Sequence, residues 1–348
     1  MKISAWGILM LYFCVFISCG KDDFLEEPPL PYVLRSSFID VSNLHLAFPS
    51  IAGNANRSKI VVSYREGTDH VSFDGKIIQM ESFDKGKTWL NRKVIYQPSN
   101  KGDARDPQFL VLPNNDILCR FFERTSNERS TVKCLISSDF GKSYTRLTEL
   151  PFPTREEVFA AARGNMVVVD GVIYAICYNR WSYTWVVKSE DNGKTWKNVA
   201  WVDLSLGTND CDFSLINESS LGYANSKLYL VARQQSEDAF LQIGISEDLG
   251  LSWTWDVLPV KGHAPSLTPY KDSFILTYRY VDAKAKKYHF DIALMKDGKL
   301  VNSPITLFVS ESFDVGYGDV LTLPNSFLVC CYLPNKICCY EINYDIFK

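Results

Sequence analysis

The chain has 348 residues, of which 46% are apolar and 14% aromatic, enough to build a large buried core and to exclude a disordered protein. Its formal net charge is −3 and it contains no basic run or tail, which argues against a nucleic-acid partner. The length fits two or three average domains or one large β-domain.

The N-terminus has the pattern of an export signal. Lys2 is followed by an apolar run from Ile3 to Ile17, which is too short to span a bilayer comfortably. The run ends in FISCG and resembles a bacterial lipoprotein signal, in which Cys19 becomes the lipidated first residue. We therefore predict a signal peptide over 1–19 and a stiff Pro-rich tether over 20–31. An ordinary secretory signal is the alternative, and either one exports the protein.

A turn motif recurs along the rest of the chain. SFDKGKTW at Ser82 is followed by SSDFGKSY at Ser137, SEDNGKTW at Ser189 and SEDLGLSW at Ser246. The aspartates are residues 84, 139, 191 and 248, so the steps are 55, 52 and 57 residues. A β-like run precedes and follows each copy, and the Gly, Asp and Ser suit a tight hairpin. A repeat of this length with several strands predicts propeller blades.

A second repeated element gives the number of blades. Six short apolar runs begin at Lys59, Asp116, Gly171, Lys227, Ser273 and Ser326. The fifth blade keeps only a remnant of the turn motif in MKDGK, and the sixth ends one strand short at the C-terminus. We expect YVLRSSFI (Tyr32 to Ile39) to supply that strand and to close the ring. The predicted fold is an all-β, six-bladed β-propeller over 32–348. Most of its eight cysteines lie in apolar strand-like runs, where we expect buried free thiols.

The turn motif resembles the Asp-box of the sialidase-like (BNR-repeat) superfamily, over roughly residues 40 to 345. That resemblance implies a six-bladed propeller whose active-site mouth lies opposite the Asp-boxes, at second-strand ends and first-strand starts. The second-strand ends supply Arg65, Glu66, Asp69, His70, Arg124, Arg180, Trp181, Arg233 and Arg279. The first-strand starts supply Asp103, Arg105, Asp106, Asp210, Asp212, Glu218, His263 and Tyr317.

Three of these arginines, Arg65, Arg233 and Arg279, fall at equivalent blade positions. Guanidinium groups match carboxylates in bidentate geometry, so the mouth is predicted to bind an acidic sugar. Arg105 and His70 are further candidates for contacts with this ligand. No histidine or cysteine group has convincing metal-ligand spacing, and we expect neither a metal nor another cofactor.

The resemblance also implies catalytic roles. Sialidases use a Tyr nucleophile activated by a Glu, an Asp acid/base and three arginines that hold the substrate carboxylate. NESSLGYANSKLYLVAR looks like the family segment with the activating Glu and one arginine, which are Glu218 and Arg233 here. GYGDVLTLPNSFLVCCY looks like the final blade, so that Tyr317 matches the nucleophile. Asp69 matches the acid/base, with Asp74 as the second choice.

The sequence departs from the family at one arginine. Sialidases open with Arg-Ile-Pro, whereas this chain has AFPSI, which puts Ala47 in the place of the first arginine. Arg65 or Arg105 would have to reach the same space from neighbouring loops. The third blade, with GNMVVVDGVIYAICY, offers no catalytic group that we can name.

Three hypotheses follow. The first is a sialidase-like glycoside hydrolase that acts on a terminal acidic sugar, in which Tyr317, Glu218 and Asp69 are catalytic. The second is a non-catalytic glycan-binding propeller of a surface carbohydrate-uptake system, which the missing arginine favours. The third is a polysaccharide lyase with His70 or a Tyr as base. In each case we expect a monomer at a bacterial cell envelope, held to the membrane only by its lipid.

Overall fold

The computed structural model describes residues 30–202, 215–236 and 238–348. The predicted signal peptide lies outside these residues, as do nearly all of the predicted tether and the predicted lipidation site, Cys19. The described part is all-β, and its helical residues form a single 3-10 turn at Tyr344–Phe347. No helix in these ranges is long and apolar enough to cross a membrane.

The strands form six antiparallel blades in chain order. Blade 1 contains β2 (His45–Gly53), β3 (Ile60–Gly67), β4 (Lys76–Ser82) and β5 (Leu90–Tyr96). Blade 2 contains β6 (Asp103–Val111), β7 (Ile117–Arg124), β8 (Ser130–Ser137) and β9 (Thr145–Glu149). Blade 3 contains β10 (Val167–Val169), β11 (Val172–Tyr178), β12 (Thr184–Ser189) and β13 (Lys197–Trp201). Blade 4 contains β14 (Ile216–Ala224), β15 (Lys227–Gln234), β16 (Phe240–Ser246) and β17 (Thr254–Lys261).

The last two blades depart from this pattern. Blade 5 contains β18 (His263–Tyr270), β19 (Ser273–Asp282), β20 (Lys287–Lys296), β21 (Lys299–Leu300) and β22 (Ile305–Ser310), and both β21 and β22 pair with β20. Blade 6 contains β23 (Gly316–Thr322), β24 (Ser326–Leu333) and β25 (Lys336–Asn343). Its outer strand is β1 (Val33–Val41), which pairs antiparallel with β25. The predicted six-bladed fold and its closure by the N-terminal strand are confirmed.

The four repeated turns join the third and fourth strands of blades 1 to 4. In the first copy the Asp84 carboxylate accepts hydrogen bonds from the Thr88 amide (2.9 Å) and hydroxyl (2.7 Å), and from the Ser82 hydroxyl (2.8 Å). The Ser82 hydroxyl in turn accepts a bond from the Gly86 amide at 2.8 Å. Because successive strands alternate in direction, these turns lie at the opposite rim from the starts of the first strands.

Apolar clusters fill the space between neighbouring blades, and polar side chains close the centre of the ring. The buried Asp319 carboxylate accepts hydrogen bonds from Ser50 (2.7 Å) and Gln108 (2.9 Å), which belong to blades 1 and 2. Gln108 also donates to Asn165 at 2.7 Å, in the segment that enters blade 3. This network links the innermost strands, and Asp319 lies two residues after Tyr317 on β23.

The described cysteines are buried and free, as expected: Cys119, Cys134, Cys177, Cys330, Cys331, Cys338 and Cys339.

Candidate active site

The innermost strands carry β-bulges near their starts, and these place the side chains of the mouth. The register of β6 with β7 shifts between Arg105 and Gln108, and that of β23 with β24 shifts between Gly316 and Asp319. Within these bulges Asp106 and Tyr317 have positive φ angles of 48° and 46°. A non-glycine residue in this region is strained, and bulges beside active sites commonly re-aim a side chain.

Tyr317 and Glu218 meet in the mouth from blades 6 and 4. The Tyr317 hydroxyl donates a hydrogen bond to Glu218 Oε1 at 2.8 Å. Arg233, from the end of β15, donates through Nη1 to Glu218 Oε2 at 3.0 Å. Each carboxylate oxygen of Glu218 therefore has one partner, which fixes the carboxylate against the phenol. The structure thus brings these three predicted residues together.

Two more arginines lie over the Tyr317 ring. The guanidinium carbon of Arg163 is 4.7 Å from the ring centroid and that of Arg279 is 5.0 Å from it. Arg163 is 2% exposed and makes no hydrogen bond or ion pair with any residue that the structure describes. Arg279 donates to the Phe313 carbonyl at 2.7 Å and lies 3.0 Å from His263 Nδ1. The Tyr317 phenol therefore lies in a strongly cationic pocket.

This charge distribution sets the protonation states of the pair. Burial opposes ionisation of Glu218, but Arg233, Arg163, the hydrogen bond from Tyr317 and Arg279 outweigh it and lower its pKa to about 2. Burial and the negative charge of Glu218 raise the pKa of Tyr317 to about 12, against the opposing effect of Arg279 and Arg233. The free protein accordingly holds a neutral phenol beside a carboxylate.

Asp106 is a second buried carboxyl group in the mouth. It is 5% exposed, and its Oδ1 has no hydrogen-bond partner among the described residues. Burial raises its pKa to about 6; Arg105 and Arg163 oppose this rise, and Glu218 adds to it. A carboxyl group of this kind exchanges its proton near neutral pH.

The structure gives Arg65 a different environment from the one predicted. Its guanidinium is fully buried and contacts Asp103 (2.6 Å), His45 Nδ1 (3.0 Å), the Asp69 carbonyl (2.9 Å) and Ser72 (2.9 Å). These four partners leave it unable to hold a substrate carboxylate without breaking existing bonds.

Arg105 is also engaged with its own protein. It donates to the His70 carbonyl (2.6 Å) and to Asp103 (3.0 Å), and it lies 5.0 Å from the centroid of the Phe48 ring. It therefore braces the loop that carries His70. The position expected for the first arginine holds Ala47, which is fully buried.

Two neighbours on the loop between β3 and β4 have opposite orientations. Asp69 is exposed, and its carboxylate makes no hydrogen bond with any described residue. His70 is turned inward, and its Nδ1 lies 2.9 Å from Asp314 Oδ1. The second choice, Asp74, is exposed and accepts a bond from the Thr68 amide at 3.1 Å. Of the other predicted mouth residues, Asp210 and Asp212 lie outside the described residues.

Sequence reasoning missed Arg163, the arginine nearest to the Tyr317 ring. It precedes Gly164 and Asn165 where the chain enters blade 3, and Gly164 has a φ of +80°. A Cβ atom at Gly164 would collide with the Ser219 backbone of blade 4. One feature of the sequence could have identified Arg163: it lies directly before a glycine where an innermost strand begins.

Solved structures share this architecture. A protein of unknown function from Dyadobacter fermentans is 22% identical, with a TM-score of 0.78, and the match covers 90% of this chain and 100% of that one. The Hadza microbial sialidase Hz136 is 15% identical with a TM-score of 0.70, and the match covers 87% of this chain and 66% of that one. The phage phi92 endosialidase is 11% identical with a TM-score of 0.69, and the match covers 90% of this chain and 69% of that one. The fold is sialidase-like. At these identities the likeness concerns the fold alone, and this chain spans about two thirds of each sialidase. Neither a protein-family model nor a curated protein matches the sequence significantly.

Proposed function

We propose that this protein is a glycoside hydrolase that removes a terminal acidic sugar, of the sialic acid class, from glycans. The observation that carries the proposal is the hydrogen bond between the Tyr317 hydroxyl and Glu218, enclosed by Arg163, Arg233 and Arg279. A phenol that acts as a nucleophile needs an adjacent base because its ordinary pKa is about 10. The fold of the neighbours, two of which are sialidases, supports the same chemistry.

The arginines fit a carboxylate ligand. Arg163, Arg233 and Arg279 each have a buried Nε without a hydrogen-bond partner among the described residues. Arg163 and Arg279 also make no ion pair with a described residue, whereas Arg233 pairs with Glu218. A buried cation without a counter-charge is costly, and a carboxylate that accepts two N–H bonds offsets that cost. The clamp proposed here therefore differs from the predicted one, because Arg163 takes the place given to Arg65.

The proposed reaction begins with the phenol. Tyr317 attacks the anomeric carbon as the glycosidic bond breaks, Glu218 accepts the phenolic proton, and the sugar's former partner leaves as an alcohol after its oxygen takes a proton from a general acid. A neutral phenol approaches the anionic sugar with less repulsion than a carboxylate would. The sugar carboxylate also competes with Glu218 for Arg233, which raises the pKa of Glu218 and makes it a better base.

An assay of the purified protein tests this proposal. We expect turnover of a 4-nitrophenyl α-sialoside, and a loss of kcat/KM by at least about 10³-fold in Tyr317→Phe and Glu218→Gln. Arg163→Met should lower kcat/KM by about 10²-fold, whereas the matched change at exposed Arg146 should leave it unchanged. If the wild-type protein turns over no acidic glycoside, sialosides and uronic-acid glycosides included, the proposal is wrong.

One observation favours a binding module as the second candidate. In the free protein the pKa of Glu218 is about 2 and that of Tyr317 about 12, so proton transfer between them is unfavourable without a ligand. A propeller that only binds an acidic glycan would use the same three arginines. Calorimetric binding of sialyllactose without any turnover would support this reading over the hydrolase.

We further propose that the protein works at a bacterial cell envelope, attached through Cys19. Labelling with a radioactive fatty acid in the expressing bacterium should mark the wild-type protein and leave Cys19→Ala unlabelled. Labelling of both would contradict lipidation at this residue.

A further inference from the structure

His70 and His45 share one carboxylate at the edge of the mouth. Asp314, in the loop before β23, accepts hydrogen bonds from His70 Nδ1 (2.9 Å), His45 Nε2 (2.6 Å) and the Tyr332 hydroxyl (2.8 Å). Burial of Asp314 opposes its ionisation, but the hydrogen bonds from His45 and His70 outweigh burial and hold its pKa well below its usual range. Asp314 is therefore an ionised acceptor with three donors.

The hydrogen bond from Arg65 fixes the protonation of this cluster. An arginine only donates, so His45 Nδ1, which lies 3.0 Å from Arg65 Nη1, must present a lone pair. The proton of His45 consequently sits on Nε2 and points at Asp314. Since the Asp314 carboxylate accepts, His70 must also hold a proton on Nδ1, and its Nε2 is the atom left to react.

The same argument weighs against a metal ion, although ligand atoms of His45, His70 and Asp314 lie within 4.8 Å of one another. A metal on His45 Nε2 would move the proton of that ring to Nδ1. That proton would then face the N–H group of Arg65. The cluster is built to orient hydrogen bonds.

The Phe48 ring contacts both the His70 imidazole and the ring of the proposed nucleophile. The His70 centroid is 5.6 Å from that of Phe48, and the Phe48 centroid is 5.2 Å from that of Tyr317. The His70 side chain is 32% exposed, and no described residue bonds to its Nε2. An imidazole fixed at one nitrogen by a carboxylate and open at the other is the usual arrangement of a proton-transfer residue.

We propose that His70, positioned by Asp314, is the acid and base of the reaction; this rests on the proposed function. As Tyr317 forms its bond to the anomeric carbon, the glycosidic bond breaks and the leaving oxygen takes the proton from His70 Nε2. Water then attacks the anomeric carbon and gives a proton to His70, while the Tyr317 oxygen leaves and recovers its proton from Glu218. The resemblance assigned this role to Asp69, which is exposed and whose carboxylate makes no hydrogen bond with a described residue.

A comparison of leaving groups tests the assignment. His70→Ala should lose about 10²-fold or more in kcat on sialyllactose, whose leaving alcohol needs a proton, and less than tenfold on 4-nitrophenyl sialoside with azide as nucleophile. The matched change His289→Ala, at a histidine on β20 that contacts Tyr280, should leave kcat on both substrates unchanged. Thermal unfolding of each variant shows that it is folded.

Asp314→Asn tests the positioning role. It should lower kcat with little change in KM, because the His70 ring loses the carboxylate that orients it. His45, Asp106, Arg105 and Tyr332 are the other charged or titratable groups near His70, and none of them is replaced in this variant.

The possible results are distinguishable. Equal losses on both substrates in His70→Ala, or a leaving-group effect confined to Asp69→Asn, would overturn the assignment while leaving the hydrolase proposal intact. A wild-type protein that turns over neither substrate would overturn the hydrolase proposal, and the role of His70 with it.

Discussion

The buried carboxyl group of Asp106 makes the stability of the protein depend on pH. The pKa of Asp106 is about 6 in the folded protein and about 4 in an unfolded chain. Between these values the folded protein keeps a proton that the unfolded chain has lost, so the free energy of unfolding falls as pH rises. Replacement by Asn removes this dependence.

We therefore expect Asp106→Asn to gain stability relative to the wild type as pH rises from 4 to 7, by about 2 kcal/mol. Urea unfolding of both proteins at several pH values measures the difference. An exposed aspartate changed to Asn, such as Asp170, serves as the control. A constant difference between Asp106→Asn and the wild type across this range would contradict the buried, protonated carboxyl.

The predicted site residues show which contacts a sequence reveals and which it does not. Glu218, Arg233 and Tyr317 were predicted because the two segments that contain them resemble sialidase segments. Arg65 was placed in the clamp because its position along the strand fits, but a sequence does not reveal that Asp103 on the next blade binds it at 2.6 Å. Ion pairs between blades depend on distances between side chains, and the spacing of the repeats along the sequence does not give those distances.

Among the elements, the repeated turns carry a prediction about acid stability. Burial of Asp84 opposes its ionisation, but hydrogen bonds from Thr88, Ser82 and the Lys87 amide outweigh it and lower its pKa to about 2. The stabilisation is therefore present above about pH 4, the pKa range of an unfolded aspartate, and is lost as pH falls towards 2.

We expect Asp84→Ala to cost about 1 to 2 kcal/mol of unfolding free energy at pH 7 and less at pH 3. The turn lies at the rim opposite the mouth, so kcat/KM should not change. Asp256→Ala, at an exposed site on β17, is the matched control for both measurements. A large loss of activity in Asp84→Ala would contradict the separation of turn and site.

The bulges were harder to foresee than the strands. The period of the turns predicts where strands begin and end, because each turn fixes a hairpin locally. Positive φ angles at Phe48, Asp106 and Ala264 come from register shifts, which a period does not encode. In hindsight each of these residues precedes a proline, a repeated pattern that marks the bulge of an innermost strand.

For the whole molecule, ring closure brings distant residues together. Tyr317 and Glu218 are 99 residues apart in sequence, and blades 4 and 6 hold them. The missing strand of blade 6 was predictable because a C-terminal blade that is one strand short leaves an unpaired edge. The packing of that strand, however, depends on which of its side chains face the core. Ile39 is 4% exposed and joins the cluster that also contains Tyr317, whereas Leu34 is 55% exposed.

This contrast predicts how closure supports both stability and activity. Ile39→Ala should cost about 2 to 4 kcal/mol, because it leaves a cavity in the cluster between blades 6 and 1, whereas Leu34→Ala on the same strand should stay within about 0.5 kcal/mol. Guanidinium unfolding measures both, and the proposed sialosidase activity of Ile39→Ala should be lost at the same lower denaturant concentration as its tryptophan fluorescence signal. We expect this coupling because Tyr317 lies in the blade that β1 completes. The opposite result would be an Ile39→Ala protein that unfolds at a lower denaturant concentration but keeps its activity up to the wild-type midpoint. It would mean that ring closure and the active site are independent.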